Sequence, residues 1–419
     1  PLLFAIASLA GLLIMLDRTD VRPEIFSYLF LAYFLFAIFR AKYPEKSPSG
    51  DLGAGSSKIK WSRLSTTIED PRYRRTISRL YALPVIQVLW TNTHIYFILG
   101  PALLLLFLID MAINKKLQIT NPKQFLNSKL KNSIVFRIFI LVVLATLINP
   151  NFIYGALAPF TILNSYGYSI VENQSILFLK NYGILLTQIN IFLLATVLFW
   201  LSFIPALKKY GLKSYVFEIG AGAAFTILGS DMIRTLGPYA IVYIPILALN
   251  LHAWLSPVLA NRKIMIGASV LFIAVCLFLM TAVVNNGFYK WAGSGNKFGL
   301  EVSAGAEGGV DFIKDNKLTG PIFNNFDVGS YLIWKLYPGT SPAHTEDCGS
   351  TRSDVLRMCG VFVDGRPEAY SVDFFQKIYI PMQESPELWQ KYSDQYKINY
   401  VFFDYHDLTL WSQTFLSFI

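Results

Sequence analysis

The stretch IMIGASVLFIAVCLFLMTAVV (264–284) carries no charged residue over 21 positions. A helix of about 20 apolar residues spans the hydrocarbon core of a bilayer, so this stretch predicts a transmembrane helix. Similar apolar stretches occur at 1–16, 25–40, 80–90, 95–113, 134–149, 184–206, 215–230 and 236–255. Several are short, which is tolerated when such helices pack inside a bundle. The sequence therefore predicts a mainly α membrane bundle of about nine crossings.

The composition of the whole chain supports the same class of protein. Charged residues make up 15% of the 419 residues and hydrophobic residues 54%, whereas soluble domains carry about 25% charged residues. The mean hydropathy of +0.44 would leave too little polar surface for a soluble protein. The net charge of +9 would also suit nucleic acid, but the basic residues lie between apolar runs. We therefore predict the lipid bilayer as a partner and no nucleic acid.

The distribution of Lys and Arg predicts the side on which each loop lies. If the loop 40–79 is cytoplasmic and the sides alternate, the cytoplasmic loops hold 20 Lys or Arg and the opposite loops hold four. Positive residues concentrate in cytoplasmic loops. This pattern predicts a multi-pass plasma-membrane protein with a cytoplasmic N-terminal end and an extracytoplasmic tail. The block 80–113 must then be a hairpin of two crossings, broken at 91–94.

Two domains are predicted, a transmembrane helical domain at 1–290 and an extracytoplasmic α/β domain at 291–419. Because Pro1 lies inside an apolar run, the chain is expected to have lost its start. In the second domain short strands alternate with helices, which predicts a sheet of three or four strands. Cys348 and Cys359 lie eleven positions apart in a polar insertion. In an oxidising compartment they are candidates for a disulfide, and no metal site is predicted there because only His344 is near.

The sequence contains no Walker loop, GxSxG, HExxH or CxxC motif. Nucleotide chemistry, serine hydrolysis and zinc proteolysis therefore lack their usual signatures. Polar residues at the outer ends of apolar helices are the remaining candidates. The outer loop between the first two spans could hold a carboxylate base beside phosphate-binding cations, or could be an ordinary charged turn. Its candidates are Asp17, Arg18, Asp20 and Arg22.

Two further outer sites contain isolated polar groups. At the hairpin tip, Trp90, Asn92 and His94 could contact a sugar or a polar headgroup, or could cap the broken helix within the aromatic belt. Arg234 could bind a lipid phosphate, or could extend to the interface or pair with Asp231. Glu172 is a candidate acid or base because of its location in the outer loop 164–182.

In the second domain, NNFDVGSY (324–331) and VDGRPEAY (363–370) each follow a predicted strand. Polar loops at strand ends are where α/β domains bind ligands, although turn chemistry and an internal Asp–Arg pair would use the same residues. The candidate residues in these loops are Asn324, Asn325, Asp327, Asp364, Arg366 and Glu368.

Several of these motifs together resemble a known group of proteins. The motifs are Arg22-Pro23, Trp90-x-Asn92-x-His94 followed by Gly100, Asn149-Pro150, NNFDVGSYLIWKLYP (324–338) and VFVDGRPEAY (361–370). The chain is similar to uncharacterised bacterial membrane proteins related to the GT-C glycosyltransferases, which use polyprenyl-phosphate sugars. The insertion 339–360 departs from the pattern of these relatives, in which VFVDGR follows soon after LYP.

The resemblance implies transfer of a sugar from a polyprenyl-phosphate carrier to an acceptor that the sequence does not identify. Asp17 or Asp20 would act as base or orient the acceptor. Basic groups would stabilise the departing lipid phosphate, a large term in such catalysis; these are Arg18, Arg22 and Arg234. Trp90, Asn92, His94 and Glu172 would line the pocket for sugar or acceptor. The sequence identifies no cofactor and leaves a divalent cation open.

Two other functions are compatible with the sequence. The first is a non-catalytic scaffold in which the membrane domain anchors an outer binding domain for envelope assembly. The second is a transporter, for which inverted repeats and acids at mid-membrane are expected. No clear repeat is visible, and Asp110 and Glu218 lie near inner helix ends. The transporter is therefore the weakest of the three hypotheses.

Overall fold

The computed structural model describes residues 1–15, 23–43, 78–116, 134–161, 167–168, 171–181, 183–293, 297–299, 304–336, 360–405, 407 and 409–419. Two compact units divide the chain. The first comprises Pro1–Leu163 and Ile170–Phe298, and the second comprises Asn164–Ser169 and Gly299–Ile419. The sequence pattern did not separate residues 164–169 from the membrane domain. The domain boundary at 290 stays a prediction.

The described part of the first unit is helical. Its helices are α1 (Leu2–Ile14), α2 (Glu24–Lys42), α3 (Leu83–Thr91), α4 (Leu99–Lys116), α5 (Ile134–Ala145), α6 (Phe152–Thr161), α7 (Ile176–Asn181), α8 (Leu186–Tyr210), α9 (Val216–Asp231), α10 (Leu236–Leu259), α11 (Arg262–Val284) and α12 (Gly287–Ala292). Short 3₁₀ turns occur at Ile95–Ile98, Val171–Asn173, Leu212–Tyr215 and Ile233–Thr235.

Within the described ranges, five helical segments are long and apolar enough to cross a membrane. They are Glu24–Lys42, Ile95–Asn114, Leu186–Tyr210, Ile233–Leu259 and Arg262–Val284. The apolar helices α1 and α5 are shorter, with 13 and 12 residues. A multi-pass helical membrane protein is therefore shown, but the nine predicted crossings are not confirmed. The physical reason is length, since α3 has only nine residues and α9 only 16, below the roughly 20 of an ideal span.

Helix α10 lies at the centre of the first unit and packs against α1, α2, α8 and α9. Its Tyr239 and Tyr243 are almost fully buried. Phe199 of α8 stacks on Tyr243 with ring centroids 5.2 Å apart, and the Tyr239 hydroxyl lies 3.0 Å from Thr196 Oγ1. Aromatic packing with a satisfied hydroxyl thus holds α8 against α10.

The second unit alternates helices with two short strands. Its elements are α13 (Ala304–Asp315), β1 (Ile322–Asn324), α14 (Gly329–Leu336), α15 (Val372–Phe374), a π-helical turn (Phe375–Tyr379), α16 (Ile380–Glu384), α17 (Pro386–Tyr396), β2 (Tyr400–Phe402) and α18 (Leu410–Phe418). β1 and β2 are parallel, with Ile322 opposite Tyr400 and Asn324 opposite Phe402. The predicted alternation of strands and helices is therefore present.

The predicted third strand, 360–363, is reduced to one bridge between Ile322 and Val361. Beyond that bridge, the side chain of Asn324 replaces the backbone ladder. Its Oδ1 accepts from the N–H groups of Phe362 (3.1 Å) and Val363 (3.4 Å), and its Nδ2 donates to the Val363 carbonyl at 2.8 Å. The expectation of three or four strands was therefore too high for the described residues, because a side chain satisfies groups that another strand would pair.

The core of the second unit is aromatic. Phe323 of β1 lies 4.9 Å from Trp389 and 5.2 Å from Phe415, between ring centroids. Tyr168, from the segment 164–169, stacks on Phe326 at 4.6 Å and also contacts Phe375 at 5.1 Å. Burial raises the pKa of the Tyr168 hydroxyl, and the charges of Asp407 and Asp327 act in the same direction. A segment from the middle of the sequence thus completes this core.

We predict that Gly329→Ala destabilises the second unit by about 1–3 kcal/mol, the usual cost of overpacking. A Cβ at Gly329 would run into the backbone carbonyl of Val363, which has no flexible end to move aside. Hydrogen exchange of the amides in 322–336 and 360–366 measures the loss.

Gly308→Ala is the matched control, because Gly308 is an exposed glycine inside α13 with open space at its Cβ. It should leave exchange unchanged or slow it, since Ala favours a helix by about 0.5–1 kcal/mol. Equal exchange rates in the two variants would contradict the packing argument.

Candidate functional site

Polar residues from four separate segments of the first unit meet near the N-terminal end of α2. The segments are the first turn of α2, the stretch 90–96 around the helix break, the turn Val171–Asn173 and the turn Ile233–Thr235. The last two turns contact each other, and the Ile233 N–H donates to the Gln174 carbonyl at 3.1 Å. We call the residues Glu24, Ser27, Trp90, His94, Tyr96, Glu172, Asn173 and Arg234 the Arg234 cluster.

Arg234 is half-buried and held by uncharged partners. Its Nη1 donates to Asn173 Oδ1 at 3.0 Å, and its Nε donates to the Tyr96 hydroxyl at 3.2 Å. The guanidinium carbon lies 5.8 Å from the centre of the Tyr96 ring. Asp231 is exposed, and the described contacts of Arg234 go to Tyr96 and Asn173 instead. Pairing with Asp231, one of the alternatives from sequence, is therefore not observed.

Two carboxylates act on this guanidinium. Glu172 and Glu24 both attract Arg234 electrostatically. Glu24 is 5% exposed at the start of α2 and accepts a hydrogen bond from the Tyr28 hydroxyl at 3.0 Å. Tyr28 lies against Gly237, where a Cβ would collide with its ring. The cluster therefore contains one fixed cation and two acids, and the acid Glu24 was not among the residues singled out from sequence.

Ser27 links Trp90 to His94. The fully buried Trp90 donates from Nε1 to Ser27 Oγ at 2.8 Å. Because Ser27 Oγ accepts this bond, its own hydrogen can be donated to His94 Nδ1, 3.0 Å away. The Tyr96 N–H, which His94 caps, also points at Nδ1 at 3.5 Å. Nδ1 is therefore an acceptor, which assigns the neutral imidazole with its proton on Nε2.

His94 lies at the hairpin tip, outside the candidate spans. Burial lowers the pKa of the imidazole to about 4, and the positive charge of Arg234 acts in the same direction. The imidazole is thus uncharged at neutral pH. It can donate from Nε2, and it lies edge-on to the Tyr96 ring with centroids 4.5 Å apart.

Asn92 has a capping geometry. Its Nδ2 donates to the carbonyls of Val88 (2.8 Å) and Ile148 (2.7 Å), so it closes the end of α3 and ties it to the residues after α5. The nearby Gly100 permits a close approach, since a Cβ there would meet Gln87 and Phe34. Sequence reasoning left capping and ligand contact equally open for Asn92, and the observed contacts are those of a cap.

A groove in the described part of the first unit lies near the other end of α2. This groove of about 340 Å³ runs between α2 and α10, and Phe36, Arg40, Tyr43 and Pro245 are among the residues that line it. The two ends of a 19-residue helix are about 27 Å apart. The groove is therefore separate from the Arg234 cluster and from the predicted outer pocket.

Six of the predicted residues fall in parts of the chain outside the described ranges. The proposed base and phosphate ligands of the first outer loop belong to this group, as do both cysteines of the candidate disulfide. The six residues are Asp17, Arg18, Asp20, Arg22, Cys348 and Cys359. Their roles stay predictions.

The candidate loops of the second unit are occupied by internal bonds. Asn325, 1% exposed, donates to Asp407 Oδ2 at 2.8 Å and accepts from the Asp404 N–H. Asp364 is buried and pairs with Arg366, whose Nη2 lies 2.5 Å from Asp364 Oδ2. These contacts, like those of Asn324 in the sheet, are internal hydrogen bonds that stabilise turns and strands. Any ligand role for these residues stays a prediction.

The remaining candidates of this unit lie in turns. Asp327 is in the turn that precedes α14, and Glu368 is in the 3₁₀ turn Pro367–Ala369. The neighbouring Tyr370 hydroxyl accepts from the Asp364 N–H at 3.1 Å, and burial raises its pKa to about 12. Across the described residues of both units, no three His, Cys, Asp or Glu side chains come together as metal ligands.

We predict that His94 titrates with a midpoint near pH 4, below the usual value of about 6.5. Because the folded-state pKa is the lower one, His94 contributes stability above about pH 6.5, and this is lost as the pH falls toward 4. Side-chain ¹⁵N spectra of histidine-labelled protein in micelles measure the midpoint, and His94→Gln assigns the signal.

Ser27→Ala provides the comparison, because it removes a donor that favours the neutral ring. The midpoint of His94 should rise in this variant. A wild-type midpoint at or above 6.5 would show that the ring is solvated and that the assigned hydrogen bonds are wrong.

Because comparison with known proteins identifies no relative of the chain, its function is inferred from the geometry of the site. No family model, curated protein or solved structure is similar to the chain. The resemblance to GT-C relatives, which rests on the motifs quoted above, therefore stays a prediction. The Arg234 cluster is the site whose chemistry has to be explained.

Proposed function

We propose that this chain is a membrane glycosyltransferase-like protein that binds a polyprenyl-phosphate-linked sugar at the Arg234 cluster and transfers the sugar to an acceptor. The observation that carries the proposal is the guanidinium of Arg234, half-buried at a helix end and held by the uncharged Tyr96 and Asn173. Because these hydrogen-bond partners are uncharged, an anionic ligand competes for the guanidinium only with the longer-range attraction of Glu172 and Glu24 among the described residues. Phosphate is the anion that the planar fork of Arg matches best.

The guanidinium group of Arg234 has one edge, at Nη2, that is available to this ligand. Among the described residues, the hydrogen bonds of Arg234 use Nε and Nη1. The Nη2 edge can therefore donate to a phosphate oxygen. As the bond between the anomeric carbon and the phosphate oxygen breaks, both electrons go to the phosphate. Arg234 then stabilises the charge that develops on the leaving group.

An acid of the same cluster would complete the reaction. A carboxylate takes the proton of the acceptor hydroxyl as its oxygen attacks the anomeric carbon. The resemblance assigns this role to Asp17 or Asp20. Glu24 and Glu172 are the carboxylates that the described structure brings near Arg234, and Glu24 lies next to the same outer loop. His94 supplies a neutral donor for the sugar side, and the fully buried Trp90 positions Ser27 and His94.

We also propose a topology of nine crossings with the tail outside the cytoplasm. The charge bias of 20 Lys or Arg against four supports this orientation. Tyr168 packs in the core of the second unit, so the loop that contains it and the tail must share one compartment. Of the helices between them in the sequence, α8, α10 and α11 are candidate spans. The proposal counts the 16-residue α9 as a fourth crossing, because an even number of crossings returns the chain to the same side.

We predict that Arg234→Gln lowers the turnover of sugar transfer about 100- to 1,000-fold, the usual effect of removing one transition-state donor. Arg234→Lys should lie between this variant and the wild type, because it keeps the charge but loses the planar fork. The measurement is transfer from a radiolabelled polyprenyl-phosphate sugar by the full-length protein in nanodiscs.

Arg262→Gln is the matched control, since Arg262 is an exposed arginine at the start of α11, and its turnover should equal that of the wild type. Unchanged turnover in Arg234→Gln would refute the role of Arg234. Absence of both transfer and lipid-phosphate binding in the wild type would refute the enzyme and favour the scaffold.

We predict that cysteines introduced by Asn151→Cys and Asp394→Cys react with an impermeant maleimide added to intact cells. The cysteine of Asn261→Cys should react only after permeabilisation, because the proposed topology places this turn inside. All three positions are exposed, and Cys276, Cys348 and Cys359 are replaced by Ser in the background. Protection of position 394 in intact cells would overturn the orientation.

A further inference from the structure

Three charged side chains meet at the C-terminal end of α2, remote from the Arg234 cluster. Lys42 of α2 donates from Nζ to Glu218 Oε2 at 2.6 Å and to Asp110 Oδ1 at 3.2 Å. Their side chains are all 0% exposed. We call Lys42, Asp110 and Glu218 the buried triad. It joins α2, α4 and α9, which are far apart in the sequence.

The charges of the buried triad do not balance. One ammonium faces two carboxyl groups, so full ionisation would leave a net charge of −1 away from water. An uncompensated buried charge costs several kcal/mol, and a carboxyl group in this position takes up a proton instead. When two carboxyl groups share one site, one of them likewise keeps its proton while the other ionises.

The hydrogen bonds indicate which carboxyl group takes the proton. Both oxygens of Glu218 accept bonds, Oε2 from Lys42 and Oε1 from the Tyr43 hydroxyl at 2.8 Å. In Asp110, Oδ1 accepts from Lys42, from Asn114 Nδ2 and from the Phe217 N–H. Asp110 Oδ2 is buried and makes no hydrogen bond. A bare carboxylate oxygen in this position is far less favourable than a neutral hydroxyl group.

Among the described residues, the other groups that face the triad do not change this count. Tyr43 follows α2, Asn114 lies on α4 and Tyr215 lies in the 3₁₀ turn before α9. Tyr215 and Tyr43 are phenols, and Asn114 is an amide. The ammonium of Lys42 also lies 5.7 Å from the ring centres of Tyr43 and Phe217.

We infer that the buried triad is a proton-binding site in which Asp110 holds one proton on Oδ2, while Lys42 and Glu218 form an ion pair. The proton comes from water as the chain folds, and the folded triad is electrically neutral. The site is independent of the proposed transfer reaction, because it shares no residue with the Arg234 cluster.

The test compares the pH dependence of unfolding in wild type and Asp110→Asn. Unfolded Asp and Glu release their protons near pH 4, whereas the folded triad keeps one. The wild-type unfolding equilibrium constant should therefore rise about tenfold per pH unit above about pH 5, relative to Asp110→Asn. The amide is a neutral isostere that binds no proton. Unfolding of the full chain in bicelles at pH 6, 7 and 8 gives the ratio of the wild-type unfolding constant to that of Asp110→Asn at each pH.

Asp231→Asn is the matched control, because it removes an exposed acid from the other end of α9 and should keep the wild-type slope. Glu218→Gln should lose the slope as well, since ionised Asp110 then pairs with Lys42. Equal slopes in wild type and Asp110→Asn would overturn the inference.

A second measurement uses only the wild-type sequence, so it does not require any variant to fold. Infrared spectra of the wild type at pH 7 should contain the C=O band of a protonated carboxylic acid that resists exchange with bulk solvent. Labelling with ¹³C-aspartate should shift this band, and labelling with ¹³C-glutamate should not. A spectrum without the band, or a shift with glutamate alone, would refute the assignment to Asp110.

Discussion

Polar side chains that leave water inside the helical unit need partners from other helices, and this requirement governs where the helices of this protein meet. Helix α2 shows it at both ends. Near its N-terminal end, Ser27 accepts from Trp90 and contacts His94. At its C-terminal end, Lys42 pairs with acids of two other helices. Both sets of contacts depend on the position of α2, so changes along this helix affect either site.

The two ends of α2 differ in the way charge is compensated. Among the described residues, Arg234 forms its hydrogen bonds with uncharged groups and not with the acids that attract it, so an anion can bind the guanidinium directly. In the buried triad the cation has more acid than it can balance, which suits the binding of a proton. One helical unit thus combines a candidate ligand site with a buried proton site. The two sites differ in which charge lacks a directly hydrogen-bonded counter-charge, a cation in the first and a carboxylate in the second.

The second unit uses polar side chains mainly to build its own structure. Asn324 ends β1 and Asn325 follows it, where a ligand-binding loop would begin, yet their amides bind the segment at Val363 and the loop after β2. A two-stranded sheet satisfies few backbone groups by itself, and these side chains supply the missing partners. The polar residues at the strand ends therefore have a structural explanation that needs no ligand.

The sequence by itself determined the class of the protein and the approximate positions of most elements. Uncharged apolar runs and strand-turn-helix patterns are local properties, so the helix 264–284, the strand at Ile322 and the helix at Gly329 could be predicted. It could not determine that Glu24 faces Arg234, that Asp110 meets Lys42, or that Tyr168 joins the second unit. These pairs are distant in the chain, and hydropathy and spacing carry no information on which helices pack together. Only the tertiary structure decided them, because burial leaves each polar group the partners that packing brings within hydrogen-bonding distance.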